Sequence, residues 1–224
     1  MKKIQTILLF FCCLQIFAQE KSCWFNYTFN RQVTDIATND INNLWICTIG
    51  GLVKYNKITG EKTFFNQGNS NLFDNGVAAI CITESENMWL GGTHYGVARY
   101  NENGNIIYNR DNSGLPRNQY NYPIKVDKYG NIWIASMEYM VKYDGTNWIR
   151  WETGTGESSV PMITGFDIDK DGIVWIYSLD GIGKIEDDEY EIINTYGSER
   201  IWFSGAVIVD KQNNVWFIKQ YFGI

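Results

Sequence analysis

The chain has 224 residues, 45% hydrophobic and 16% aromatic, which is enough apolar mass for a sizeable core. Its 25 acidic and 19 basic residues leave a net charge of −6, without the clustered Lys and Arg that phosphate backbones require, so a nucleic-acid partner is not expected. The mild acidity suits the dispersal of an aromatic-rich protein.

Residues 1–19 read as a signal peptide. Met1-Lys2-Lys3 forms a charged start, Ile4 to Phe17 an apolar stretch too short for a membrane span, and removal is placed after Ala18 or Gln19. Cys12 and Cys13 raise a lipoprotein reading that the bulky Phe11 disfavours. No later stretch reaches about 18 consecutive apolar residues, so the mature chain is expected to be periplasmic or secreted. It keeps Cys23, Cys47 and Cys81, which allow at most one disulfide. Cys47 and Cys81 fall in apolar runs and read as packed thiols. With no Cys-x-x-Cys, no metal or other cofactor is expected.

From residue 20 to 224 the chain is organised by five tryptophans: Trp45, Trp89, Trp133, Trp175 and Trp216, spaced 44, 44, 42 and 41 residues apart. Each stands in a short apolar phrase such as Leu44-Trp45-Ile46 or Ile132-Trp133-Ile134. Repeats of this length built from short strands and turn residues predict an all-β protein, a β-propeller of about five four-stranded blades. The copies lie near 33–68, 76–112, 121–155, 163–197 and 205–224.

The third copy shows the grammar. Ile124-Lys125-Val126 is a first strand, Asp127-Lys128-Tyr129-Gly130-Asn131 a turn, and Ile132 to Ser136 a strand apolar on both faces. Met140 to Tyr143 makes a third strand and Trp148 to Trp151 a fourth. Six residues before the Trp stand Asp127, Asp169 and Asp210, with Asn39 and Thr83 in the other copies, each read as a local hydrogen-bond acceptor. Nine or ten residues after it come Lys54-Tyr55, Arg99-Tyr100, Lys142-Tyr143 and Lys184-Ile185. The fifth copy runs out near its third strand, while 22–30 reads like a fourth-strand phrase. Two readings stay open: a ring closed by 22–30, or part of a larger ring.

Asn112-Ser113-Gly114-Leu115-Pro116-Arg117-Asn118, Asp127 to Ser136, Val141-Lys142-Tyr143-Asp144 and the run Leu44 to Tyr55 together resemble the two-component regulator propeller repeat. That resemblance implies a seven-bladed propeller from the periplasmic sensor part of hybrid histidine kinases, often tied to glycan sensing. The partners it implies are an oligosaccharide or other small extracytoplasmic ligand, and a histidine kinase or envelope protein. The sequence departs from the family in having five copies, with no immunoglobulin-like segment, membrane helix or kinase after them.

Candidate chemistry is sparse. Asp167-Ile168-Asp169-Lys170-Asp171-Gly172 spells the start of a calcium loop, but Ser178 stands where a bidentate Glu belongs, so a structural turn is expected. Glu186-Asp187-Asp188-Glu189 reads as a solvated outer hairpin. His94 is the sole histidine. The repeat phrase also resembles streptogramin-type lyases, which use a histidine base with a divalent metal, but one histidine makes a poor case for such a site. Paired glycosidase carboxylates cannot be assigned from spacing.

Tyr95, Tyr120, Tyr122, Tyr139 and Trp202 fall outside the repeat phase, in or beside loops expected on one face of the propeller. Core or rim packing is the plainer reading of such rings. The candidate ligand-binding set is His94, Tyr95, Arg117, Tyr120, Glu138 and Tyr139, with Asn118 beside it, suited to stacking on sugar rings or peptide side chains. The expected role is a non-catalytic sensor-type binding module. The alternatives are a propeller lyase or glycan-active enzyme, and a cell-envelope assembly protein.

Overall fold

A strand that is apolar on both faces must be covered on both, so a sheet built round such strands needs a neighbour on either side. The computed structural model describes residues 32–38, 40–83, 87–92, 94–101, 104–116, 123–136, 139–152, 163–178, 181–195 and 205–219. The expected leader, segment 22–30, Cys23 and Asn39 lie outside the described residues.

The first sheet comprises β1 (Val33–Ala37), β2 (Asn43–Thr48), β3 (Gly51–Asn56) and β4 (Lys62–Phe65). The second holds β5 (Val77–Ile82), β6 (Met88–Gly92), β7 (Val97–Asn101) and β8 (Gly104–Tyr108). The third holds β9 (Ile124–Val126), β10 (Ile132–Ala135), β11 (Tyr139–Tyr143) and β12 (Trp148–Glu152), and the fourth β13 (Ile163–Ile168), β14 (Val174–Ser178), β15 (Gly181–Glu186) and β16 (Glu189–Thr195). The fifth has two described strands, β17 (Gly205–Val209) and β18 (Val215–Lys219). All pairings are antiparallel in chain order, and β1 lies against β5, β5 against β9 and β13 against β17. Sheets that meet through their first strands radiate from a common axis: the fold is a β-propeller.

Strand register gives each sheet two unlike faces. Opposite residues share a face, so Cys81, Trp89, Arg99 and Ile106 form one row across the second sheet, and Ile80, Leu90, Ala98 and Ile107 form the other. The Trp row of each sheet packs on the aliphatic row of the next. Trp45 clusters with Ile80 and Leu90, Trp89 with Ile124 and Ile134, and Trp133 with Phe166 and Ile176. These three indoles are 6%, 4% and 3% exposed, whereas Trp216 in the last sheet is 59% exposed.

The aspartate six residues before the Trp fixes both turn and ring. In the third, fourth and fifth sheets one carboxylate oxygen of Asp127, Asp169 and Asp210 accepts the indole N–H of Trp133, Trp175 and Trp216, each at 2.9 Å. The other oxygen accepts two turn amides, those of Tyr129 and Asn131 in the case of Asp127. In the first two sheets Asp40 accepts the turn amides of Asn42 and Asn43, and Thr83 donates its hydroxyl to the Asn87 carbonyl. The basic residues after the Trp lie directly across from it, with the Lys54 and Lys142 ammonium groups over the rings of Trp45 and Trp133 at 5.2 and 5.5 Å.

Two further expectations are corrected. The third strand of the third copy begins at Tyr139, one residue earlier than read. The acidic hairpin is not simply solvated. Asp187 and Asp188 adopt positive φ in a two-residue turn, and Asp188 accepts Lys142 Nζ at 2.7 Å and, at its carbonyl, Trp151 Nε1 at 2.9 Å, which ties the fourth sheet to the third. Gly51 opens β3 and Gly96 immediately precedes β7, with φ of 134° and 94°, where a Cβ would meet the Phe65 or Tyr108 carbonyl oxygen at 2.2 or 2.3 Å.

Trp133→Ala is expected to cost about 3–5 kcal/mol, and Trp216→Ala only a small part of that, because its ring is 59% exposed. Denaturant unfolding of the two variants checks this. Hydrogen bonds from Trp216 and then Asn214 hold the Asp210 carboxyl at about 2, below its usual value. A depressed carboxyl stabilises above its unfolded pKa and loses that contribution as pH falls through the folded one. The melting temperature should therefore be insensitive to Asp210 above about pH 4 and fall between about pH 4 and 2, with Asp210→Asn flattening part of the fall.

Candidate functional site

Two linkers between sheets carry the same phrase, Asn66-Gln67-Gly68-Asn69-Ser70-Asn71-Leu72 and Asn109-Arg110-Asp111-Asn112-Ser113-Gly114-Leu115. They fold alike. Asn69 and Asn112 accept the amides of Asn66 and Asn109 at 2.8 and 2.9 Å, and their side-chain N–H groups reach the Phe64 and Ile107 carbonyls at 2.9 Å. Ser70 and Ser113 close the turns by donating to the Asn66 and Asn109 carbonyls. Leu72 and Leu115 are thereby driven into the cores between sheets. The exposed crest of each linker is left with polar side chains pointing outward.

These crests flank the loop between β6 and β7, which carries His94 and Tyr95. Gln67, Phe73, His94, Tyr95, Ile107, Asn109, Arg110 and Asp111 line a cleft of about 900 Å³. Its floor is fixed by Asp74, which is buried. One Asp74 oxygen accepts the His94 amide at 2.9 Å and sits 3.4 Å from His94 Nδ1, and the other accepts the Gly76 amide at 3.0 Å. Gly92 permits that approach, since a Cβ there would lie 2.6 Å from the Phe73 ring and 3.1 Å from the Asp74 carboxylate. The imidazole and the exposed Tyr95 ring stand 6.1 Å apart at 53°. Arg110 and Asp111 are exposed and line the cleft side by side.

The structure brings His94 and Tyr95 together in this cleft. Arg117, Tyr120 and Glu138 lie outside the described residues, as do Asn118, Tyr122 and Trp202. Tyr139 does not line the cleft. It packs against the core between the second and third sheets, and the Arg150 guanidinium covers its ring at 4.6 Å. The sequence reading missed Asp74, Gln67, Asn109, Arg110 and Asp111. The duplicated Asn-x-x-Asn-Ser-x-Leu phrase was the available signal for most of them.

The calcium-like loop is a structural turn. Asp169 accepts the amides of Asp171 and Ile173 at 2.9 Å besides the Trp175 indole. Asp167 accepts Lys125 Nζ and the Val209 amide, each at 2.7 Å, bridging the third, fourth and fifth sheets. A shallower hollow of about 370 Å³ on the opposite face is lined by these turns and their lysines. Among the described residues no group of three or more His, Cys, Asp or Glu is placed to hold a metal ion. Cys47 and Cys81 are buried free thiols, and burial pushes the Cys81 thiol up to about 11 and Cys47 higher still. No helix among the described residues is long and apolar enough to cross a membrane.

No protein-family model matches the chain, and no curated protein matches it. Solved structures do. The extracellular domain assigned to the hybrid two-component system BT3049 of B. thetaiotaomicron superposes with a TM-score of 0.67 at 19% identity, covering 84% of this chain and 26% of that one. Virginiamycin B lyase from Staphylococcus aureus gives 0.65 at 15% identity, covering 85% and 64%. PorZ, a surface component of the type-IX secretion system of Porphyromonas gingivalis, gives 0.57 at 15%, covering 82% and 30%. The chain spans about a quarter of the sensor structure, and at these identities the likeness is one of fold. That fold is the one used by the class of extracellular sensor domain which the repeat phrases resemble.

Asp74→Ala removes the acceptor of two loop amides and is expected to cost about 1–3 kcal/mol. Urea unfolding measures this, and Tyr95→Ala should show no comparable loss.

Proposed function

We propose that this chain is an exported, non-catalytic, sensor-type propeller that binds a small extracytoplasmic ligand in the His94–Tyr95 cleft. An oligosaccharide is the ligand class that fits best, and a histidine kinase or envelope protein would receive the signal. The observation that carries the reading is the cleft itself, where two adjacent rings face Arg110, Asp111 and Asn109 on a loop anchored by a buried carboxylate. Rings offer an apolar face to a sugar, and planar charged and amide groups around them satisfy its hydroxyls. The fold shared with extracellular sensor domains supports the same role and the same side of the membrane.

A second reading, a lyase, draws on the fold shared with virginiamycin B lyase and on the imidazole held beside Asp74. Its test is product formation from a streptogramin in the presence of Mg²⁺.

Isothermal titration with a panel of neutral and acidic oligosaccharides tests the binding reading. At least one should bind, and Tyr95→Ala should weaken it about tenfold, or about 1.4 kcal/mol, without lowering the melting temperature. Failure of the whole panel to bind, or equal affinity in the variant, would contradict the assignment.

A further inference from the structure

We propose that Tyr108 and Tyr143 are a modification site, at which a peroxide joins the two phenol rings as dityrosine and so ties the second sheet covalently to the third. Tyr108 ends β8, the outer strand of the second sheet, and Tyr143 ends β11 in the third. Their ring centroids stand 5.7 Å apart at 43°, tilted rather than stacked. The Tyr108 hydroxyl donates to that of Tyr143, which in turn donates to the Gly145 carbonyl at 2.7 Å. This chain of bonds brings together the ring edges that carry the ortho carbons, the positions at which phenoxyl radicals couple.

The neighbouring rings suit this chemistry. Trp89 stacks on Tyr108 at 5.3 Å and 15°, and Trp148 on Tyr143 at 4.5 Å and 27°. Trp148 also lies 5.2 Å from Tyr108, and Trp89 lies 5.6 Å from Tyr143. Four rings in contact share a hole formed on any one of them, and it settles on a phenol, which is easier to oxidise as its proton leaves. Tyr108, Tyr143 and Trp148 pack against the core between the two sheets and are half-buried, so they are held in place yet lie within reach of a small oxidant. Burial first, and then the bond to Tyr143, raise the Tyr108 phenol above its ordinary value, so it keeps its proton until oxidation. The bond from Tyr143 to Gly145 is exposed and gives that proton a way to water. Cys47 and Cys81 are free thiols, so among the described residues no disulfide supplies such a tie.

Each phenol gives up one electron and its hydroxyl proton. The two phenoxyl radicals form a single bond between ortho carbons, and the hydrogen on each of those carbons shifts as a proton to its ring oxygen, which restores both phenols. Two electrons and two protons leave in all. Hydrogen peroxide, acting through a haem peroxidase, takes them up and becomes two molecules of water.

Treating the purified chain with a haem peroxidase and hydrogen peroxide, at a dilution that disfavours contact between copies, tests this. Dityrosine fluorescence should appear in a species with the mass of one chain less two hydrogen atoms. Trypsin should then release the peptide from Tyr100 to Arg110 joined to that from Tyr143 to Arg150, with fragment ions placing the bond on Tyr108 rather than Tyr100. Tyr108→Phe and Tyr143→Phe, which keep both rings and should keep the native circular dichroism spectrum, should each lose the joined peptides. The same treatment of the wild type in urea should yield only a small part of the joined peptides obtained from the folded chain. Absence of the joined peptides from the folded wild type, their persistence in either variant, or equal yields with and without urea would overturn the proposal. Should a Phe variant lose its native spectrum, the comparison of folded and urea-treated wild type decides by the same criterion.

Discussion

Every part of this protein depends on the contact between a tryptophan-bearing face and an aliphatic face of successive sheets. The alternation of side chains along a strand turns one apolar phrase into two rows, one for each neighbour. In Leu44-Trp45-Ile46-Cys47, Trp45 and Cys47 belong to the row that meets the second sheet, while Leu44 and Ile46 belong to the other. A sheet of this kind cannot be stable alone, and stacking is what makes the repeat cooperative. The cores therefore lie between sheets rather than within any one of them.

Polar groups set the geometry that this burial requires. The aspartate that accepts both turn amides and the indole N–H holds the ring in a single orientation before the next sheet packs on it. Across the junctions, side chains such as Thr164 and Asp167 bond to backbone groups of the following sheet and fix its height. The linker asparagines do the same for the connections, which is why the polar crests of two linkers flank one cleft with His94 and Tyr95 between them.

The tryptophan spacing made the all-β repeat and its strand order readable, because period and turn chemistry are local properties. Asp127, Asp169 and Asp210 were legible as acceptors for the same reason, though their bond to the indole was not, since it spans six residues and needs the folded turn. The candidate cleft was legible in part. His94 and Tyr95 stood out as loop residues out of phase, but Tyr139 looked equivalent in sequence and is instead covered by Arg150 from the neighbouring strand. Asp74 was invisible because its role lies across a contact with a loop twenty residues away. Arg110 and Asp111 lie just before the phrase Asn112 to Asn118 and carried no signal of their own.

The central claim is that each tryptophan is coupled to the next sheet, and a double-mutant cycle tests it most directly. Trp89→Leu and Ile134→Ala, on facing rows of the second and third sheets, should be non-additive by about 0.5–3 kcal/mol in urea unfolding, whereas Trp89→Leu and Ile176→Ala should add. Additive losses in the facing pair, or coupling of equal size in the distant pair, would contradict the account.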